Sequence, residues 1–120
     1  MSFVPARAAF DHIGLITDQP QANETWVETN RLWVTNPRKH PFHVEFLRYA
    51  PDSPAPLALK SKPHVAYRTD DMERALAGHT VVQPPFDPSG TGFVKVAFIE
   101  IGDALIELMQ YRDPNEAGWF

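Results

Sequence analysis

The sequence predicts an α+β domain made of two related modules of antiparallel strands, and three observations carry that reading. Val44-Glu45-Phe46-Leu47-Arg48-Tyr49 returns as Ile106-Glu107-Leu108-Met109-Gln110-Tyr111, with Glu and Tyr identical and the apolar positions alike. Asp11-His12-Ile13-Gly14-Leu15-Ile16-Thr17-Asp18 likewise returns as Pro63-His64-Val65-Ala66-Tyr67-Arg68-Thr69-Asp70. Between the two repeated stretches of the second unit lies a short helix signal over 70–77, with no counterpart in the first. A unit that opens with His on a strand, closes with Glu on a strand and occurs twice is a duplication. The modules span 8–50 and 63–111, related by a pseudo-twofold, with 51–62 as a proline-rich connector inside a single domain.

Taken in order, Phe10–Asp18 reads as a buried strand, apolar on both faces and stopped by Asp18 and Pro20. Residues 19–24 are loop. Thr25–Thr35 is rich in Trp, Val and Thr and extended, with a hairpin through Thr29-Asn30. A turn from Asn36-Pro37 to Pro41 leads into the strand 42–50, and Pro51, Pro54 and Pro56 stiffen the connector. The second module opens with the strand 63–69. Its helix has Asp70 as cap, Glu73 three residues on and Gly78 at the close. A short strand over 79–83 and a loop over 84–92, with three prolines and two glycines, follow. The strand 93–101 then pairs with 104–111 across Gly102-Asp103, a two-residue hairpin turn.

Composition narrows the classes of function. A net charge of −4 with no basic patch interleaved with aromatics argues against a nucleic-acid or membrane-surface partner. Absence of cysteine removes disulfides, thiolate nucleophiles and thiolate metal sites, and fits a cytoplasmic protein. The start of the chain lacks a signal-peptide pattern and no stretch is long enough to span a membrane. Gly90-Thr91-Gly92 lacks the spacing of a phosphate loop, and no serine sits in a nucleophile context.

The repeat marks His12, Glu45, His64 and Glu107 as candidate ligands. Strand alternation puts Glu107 on the face of Leu105, Met109 and Tyr111, and Glu45 on the face of His43, Leu47 and Tyr49. A carboxylate on such an apolar strand is desolvated unless something positive meets it. Singly, each of the four reads as a satisfied core residue or a salt-bridge partner. Repetition of the set points instead to a divalent ion, Zn²⁺, Ni²⁺, Co²⁺, Mn²⁺ or Fe²⁺, bound by two imidazoles and two carboxylates. The small Gly14 and Ala66 beside the histidines leave room for a bound object. Without the ion the two carboxylates would face each other, raising the pKa of at least one. His43 is a candidate for supporting the site or contacting substrate. Arg68 is a candidate for pairing with an anionic substrate, or else a surface residue.

Three stretches, FDHIGLIT, HVAYRTDDMERAL and VAFIEIGDALIELMQY, resemble the vicinal oxygen chelate superfamily, which includes glyoxalase I, methylmalonyl-CoA epimerase, extradiol dioxygenases and the bleomycin- and fosfomycin-resistance proteins. The resemblance covers 8–111 and implies βαβββ modules whose curved sheets form an open barrel round a metal ion. The set His12, Glu45, His64 and Glu107 is similar to the glyoxalase I ligand pattern. Here the first module is shorter and lacks the helix of the βαβββ pattern. The resemblance implies a metal-dependent lyase or isomerase acting on a small α-hydroxycarbonyl-type substrate, with Glu107 or Glu45 as the base that removes a proton next to a chelated oxygen. A non-catalytic holder of small molecules, as in the resistance proteins, is the alternative, and an accessory domain with a decayed site is a third. A homodimer is expected, because without a helix over the first module Trp26, Trp33, Val44 and Phe46 need another cover.

Overall fold

The computed structural model describes residues 10–116 and 118–119. Eight strands form one sheet: β1 (Phe10–Ile16), β2 (Thr25–Val27), β3 (Leu32–Val34), β4 (Val44–Tyr49), β5 (His64–Arg68), β6 (Thr80–Phe86), β7 (Val94–Ile101) and β8 (Ala104–Tyr111). Their order is β2-β3-β4-β1-β5-β8-β7-β6. Outward from the central β1/β5 pair, connectivity runs first strand, fourth, third, second on either side. Among the described residues helix is confined to α1 (Leu57–Ser61), α2 (Met72–Leu76) and a 3₁₀ turn at Pro37–Lys39. Among the described residues no helix is long and apolar enough to cross a membrane.

The expected sheets were antiparallel throughout, but β1 pairs with β4 and β5 with β8 in parallel. Neither pair is joined by a hairpin. In each case the chain leaves through two other strands before returning, which is the kind of long connection that parallel pairing requires. The hairpins stand where the turn residues put them. Ile101 pairs with Ala104 across Gly102, whose φ is +60°. Asn30 and Arg31 take left-handed φ values of 66° and 48° between β2 and β3, a conformation that asparagine tolerates better than most residues.

The sheet curls into a half-barrel, so that Val27 and Val34 at one end and Phe86 and Val96 at the other line one cavity. Its concave side carries the main core, with Ala66, Val96, Phe98, Leu105 and Met109 buried together. Val27, Leu32, Val34 and Leu47 extend that core into the first half. On the convex side α2 lays Met72 and Ala75 over Ala97, Ile99 and Leu108. No described helix lies between β1 and β2, and Ile13 and Leu15 on the convex side stay 37% exposed.

Three local expectations shift. The cap of α2 is Asp71, whose carboxylate accepts from the Arg74 amide at 3.0 Å; Thr69 Oγ1 accepts the Asp71 amide. Strand β6 runs on through Pro84 and Pro85 to Phe86, with irregular register against β7. Its place at the sheet edge makes the missing amide donors harmless. Segment 51–62 does more than connect: α1 forms within it and buries Leu59, with Ala55, in the concave core. Burying one leucine contributes about 1.5–3 kcal/mol.

Candidate metal centre

The site is laid out by strand register. His12 on β1 lies opposite Ala66 on β5, which pairs on its other side with Glu107 on β8. His64 on β5 lies opposite Gly14 on β1, which pairs on its other side with Glu45 on β4. Each small residue thus sits between a histidine and a glutamate, and its lack of bulk lets both large side chains lean over it. At Gly14 the need is strict: a Cβ there would lie 2.1 Å from Cε1 and 2.4 Å from Nε2 of His64. The room beside His64 is therefore filled by its own imidazole, not left for a ligand as the sequence suggested.

His12, Glu45, His64 and Glu107 converge, each offering one ligand atom, and these four atoms lie within 4.8 Å of one another. His12 Nε2 is 3.2 Å from Glu45 Oε1 and 3.1 Å from Glu107 Oε1. The same two oxygens lie 3.7 and 3.2 Å from His64 Nε2. All four residues are buried, His12 to 1% exposure. Despite this proximity, His12 Nε2, His64 Nε2 and Glu107 Oε1 have no hydrogen-bond partner. Buried polar atoms are rarely left so. Nitrogen and carboxylate oxygen bind divalent ions at about 2.0–2.2 Å, so donors spaced as these are fit round one ion. A six-coordinate ion would keep two positions for other oxygens.

One residue that sequence reasoning missed holds the first histidine. A bulge between Phe10 and His12 turns Asp11 inward with its neighbour, and Asp11 Oδ2 accepts from His12 Nδ1. That bond directs Nε2 at the centre, the carboxylate–histidine arrangement that orients metal ligands. Asp11 is in turn bound by Arg38 and, at 3.0 Å, by Arg68 Nε. The signal was present in the sequence, since Asp11 is where the repeat breaks and Pro63 stands in the second unit. His64 is placed by packing instead, edge-on to Phe98 with ring centroids 5.3 Å apart.

The two remaining candidates face elsewhere. Arg68 lies outside the cavity, donates to Asp11 and to the Glu116 carbonyl, and stacks 4.4 Å over Tyr111. It is committed to holding Asp11 and is turned away from any ligand in the cavity. His43 precedes β4 with φ +54°, which breaks the alternation that put it beside Glu45. It is exposed, with Nδ1 donating at 3.1 Å to the Asp11 carbonyl.

Charge among the four residues differs from the expectation of two repelling carboxylates. Burial works against ionisation of Glu107, but the imidazoles of His12 and His64, 3.1 and 3.2 Å from its Oε1, outweigh it and hold its pKa down at about 2. Glu45 is also held below the usual carboxylate range, against burial, chiefly by the charge of His12. Burial opposes protonation of His12, yet the charge of Glu45, the bond to Asp11 and the nearness of Glu107 raise its pKa well above normal. His64 is raised against burial by Glu107 and Glu45. The imidazoles are the positive partner when nothing else is.

Above the four residues the cavity is walled by Val34, Leu47, Leu59, Val96, Phe98 and Met109, with Thr29, Asn30, Pro88 and Trp119 also on its lining. Its interior measures about 40 Å³, and with its open mouth about 450 Å³. That interior has room for an ion with a few waters, so anything larger extends into the mouth. Tyr49 also lines it, its pKa pushed up by burial and by the charges of Glu45 and Glu107, so its hydroxyl stays a neutral donor.

No protein-family model matches the chain, and no curated protein matches it. Solved structures do. A hypothetical protein from Bacillus halodurans C-125 is 16% identical with a TM-score of 0.57, over 89% of this chain and 96% of that one. Methylmalonyl-CoA epimerase from Mycobacterium tuberculosis is 19% identical with a TM-score of 0.52, over 94% of each chain. These likenesses are of fold alone: both chains share the curled-sheet architecture over nearly their whole length.

Proposed function

We propose that this chain is a metal-dependent lyase or isomerase that removes a proton next to the carbonyl of a small α-hydroxycarbonyl compound. The observation that carries the reading is the convergence of His12, Glu45, His64 and Glu107 with three of their buried ligand atoms unbonded, at the foot of an apolar cavity. A divalent ion bound there supplies Lewis-acid polarisation of an adjacent pair of oxygens. The chain's own part is to hold that ion through two imidazoles and two carboxylates, to exclude bulk water with the apolar wall, and to accept the proton on a carboxylate. Glu45 suits the last role better, because its Oε1 stands 3.7 Å from His64 Nε2 where Glu107 stands at 3.2 Å. The repeated strand pairing supports a pseudo-twofold relation of the two modules, with one site formed within one chain.

Holding a small molecule without turnover is the second reading, favoured by an interior of only about 40 Å³. Proton exchange separates the two. Metal-loaded protein in deuterated water should speed exchange of the hydroxymethyl protons of hydroxyacetone, followed by NMR, and Glu45→Gln should abolish it even at an ion concentration high enough to load the weakened site. Binding of hydroxyacetone with no exchange would leave the holder.

A further inference from the structure

Resting on the metal-centre reading above, we propose that the cavity selects uncharged molecules, with an apolar tail and their polar atoms confined to the two adjacent oxygens presented to the ion. The wall next to the ligands is apolar, and no Lys or Arg lines the cavity among the described residues. The cations nearby are engaged outside it. Arg38 and Arg68 bind Asp11, behind His12 and away from the cavity. Arg48 holds Glu24 and stacks 4.0 Å over Trp33, and Lys62 holds Glu100. Arg31 holds Asp52. Lys60, beside the lining residue Leu59, donates to the Ser53 carbonyl at 3.3 Å, so each of these six cations has a partner outside the lining.

Charge balance points the same way. Glu45 and Glu107 together cancel a divalent ion, with both imidazoles neutral as ligands. An uncharged substrate keeps that sum at zero, and it stays zero when a proton moves from the substrate to a glutamate. An anionic group on the tail would be desolvated beside Leu47, Val96 or Met109 with no cationic partner on the lining, which is heavily penalised. The tail that the walls accept is therefore apolar, and a phosphate or carboxylate end is refused.

The test uses two hydroxamates with the same pair of oxygens. Isocaprohydroxamate ends in an isopropyl group, and succinohydroxamate replaces that group by a carboxylate of the same shape. Co²⁺-loaded protein is titrated with each, following the visible cobalt spectrum, with free Co²⁺ as the reference for intrinsic chelation. After that correction isocaprohydroxamate should bind more tightly by roughly tenfold or more, the scale of an unpaired desolvated carboxylate. Equal or reversed affinities would overturn the selectivity while leaving the metal centre standing. Bound cobalt whose spectrum neither compound changes would overturn this inference alone, and no bound cobalt at all would overturn the metal-centre reading and this inference with it.

Discussion

Gly14→Ala adds one methyl group on the concave face of the sheet, against the His64 ring, and should remove a ligand without touching any ligand residue. The new Cβ would stand 2.1, 2.4 and 2.6 Å from three atoms of the His64 ring, all well inside van der Waals contact. The ring has little freedom to yield, with Phe98 5.3 Å and His12 5.6 Å away between centroids. Overpacking of this kind costs about 1–3 kcal/mol, or a melting temperature lower by roughly 4–15 °C for a domain of this size. Relief comes by swinging the imidazole off the centre, so metal affinity should fall by about 100-fold or more, beyond what losing an outer partner costs. The assays are thermal melting and calorimetric titration with Co²⁺. In Gly14→Ala/His64→Ala the added methyl enters space that the ring has vacated, so the double variant should be more stable than the sum of the single losses by about 0.5–3 kcal/mol. A Gly14→Ala protein with unchanged affinity and melting temperature would refute the register argument for the site.

The remaining predictions concern charge and assembly. In chelator-treated protein the raised pKa of His12 and His64 stabilises the fold fully below their unfolded value near ~6.5 and less as pH rises through the folded value. The lowered pKa of Glu45 and Glu107 stabilises it above ~4.5 and less as pH falls through the folded value. Metal-free protein should accordingly melt higher at about pH 5.5 than at about pH 7.5, whereas ion binding needs neutral imidazoles and strengthens towards the higher pH. Chelator should lower the melting temperature more at the higher pH; the reverse order would contradict this account of the charges. Asp11→Asn should weaken metal binding by about 10–100-fold and cost about 1.5–3 kcal/mol for the charge-assisted bonds to Arg38 and Arg68, read by titration and melting. A dimer is expected through the convex face bearing Ile13 and Leu15, and sedimentation should show it at micromolar concentration; Leu15→Glu should return a monomer with its metal affinity intact.

The sequence made the site more legible than the framework around it. Duplicated His and Glu strands are short-range patterns that survive in the text, and they led to the four residues that meet at the centre. How His12 is held was only hinted at, by Asp11 standing where the second unit has Pro63, because the groups that fix Asp11 come from afar. Arg38 and Arg68 reach Asp11 across 27 and 57 residues, and the bulge that turns Asp11 inward has no local signature. Alternation also misplaced His43, since its positive φ breaks the strand rule just before β4. Prolines misled in two opposite ways. At Pro84 and Pro85 an edge strand tolerates them, and at Pro56 one stands at the N-cap of α1, where the lack of an amide donor costs nothing. The α2 cap slipped by one residue because Asp70 and Asp71 are both good caps, and Thr69 decides between them by taking the Asp71 amide.

The central claim is that His12, Glu45, His64 and Glu107 bind one divalent ion per chain. Calorimetric titration of chelator-stripped protein with Co²⁺ and Zn²⁺ tests it directly. The account predicts saturable binding of one ion per chain, with protons released, in the wild type and strongly weakened binding in Glu45→Gln and Glu107→Gln proteins that still melt cooperatively. Absence of saturable binding, or binding that both glutamine variants retain in full, would contradict it.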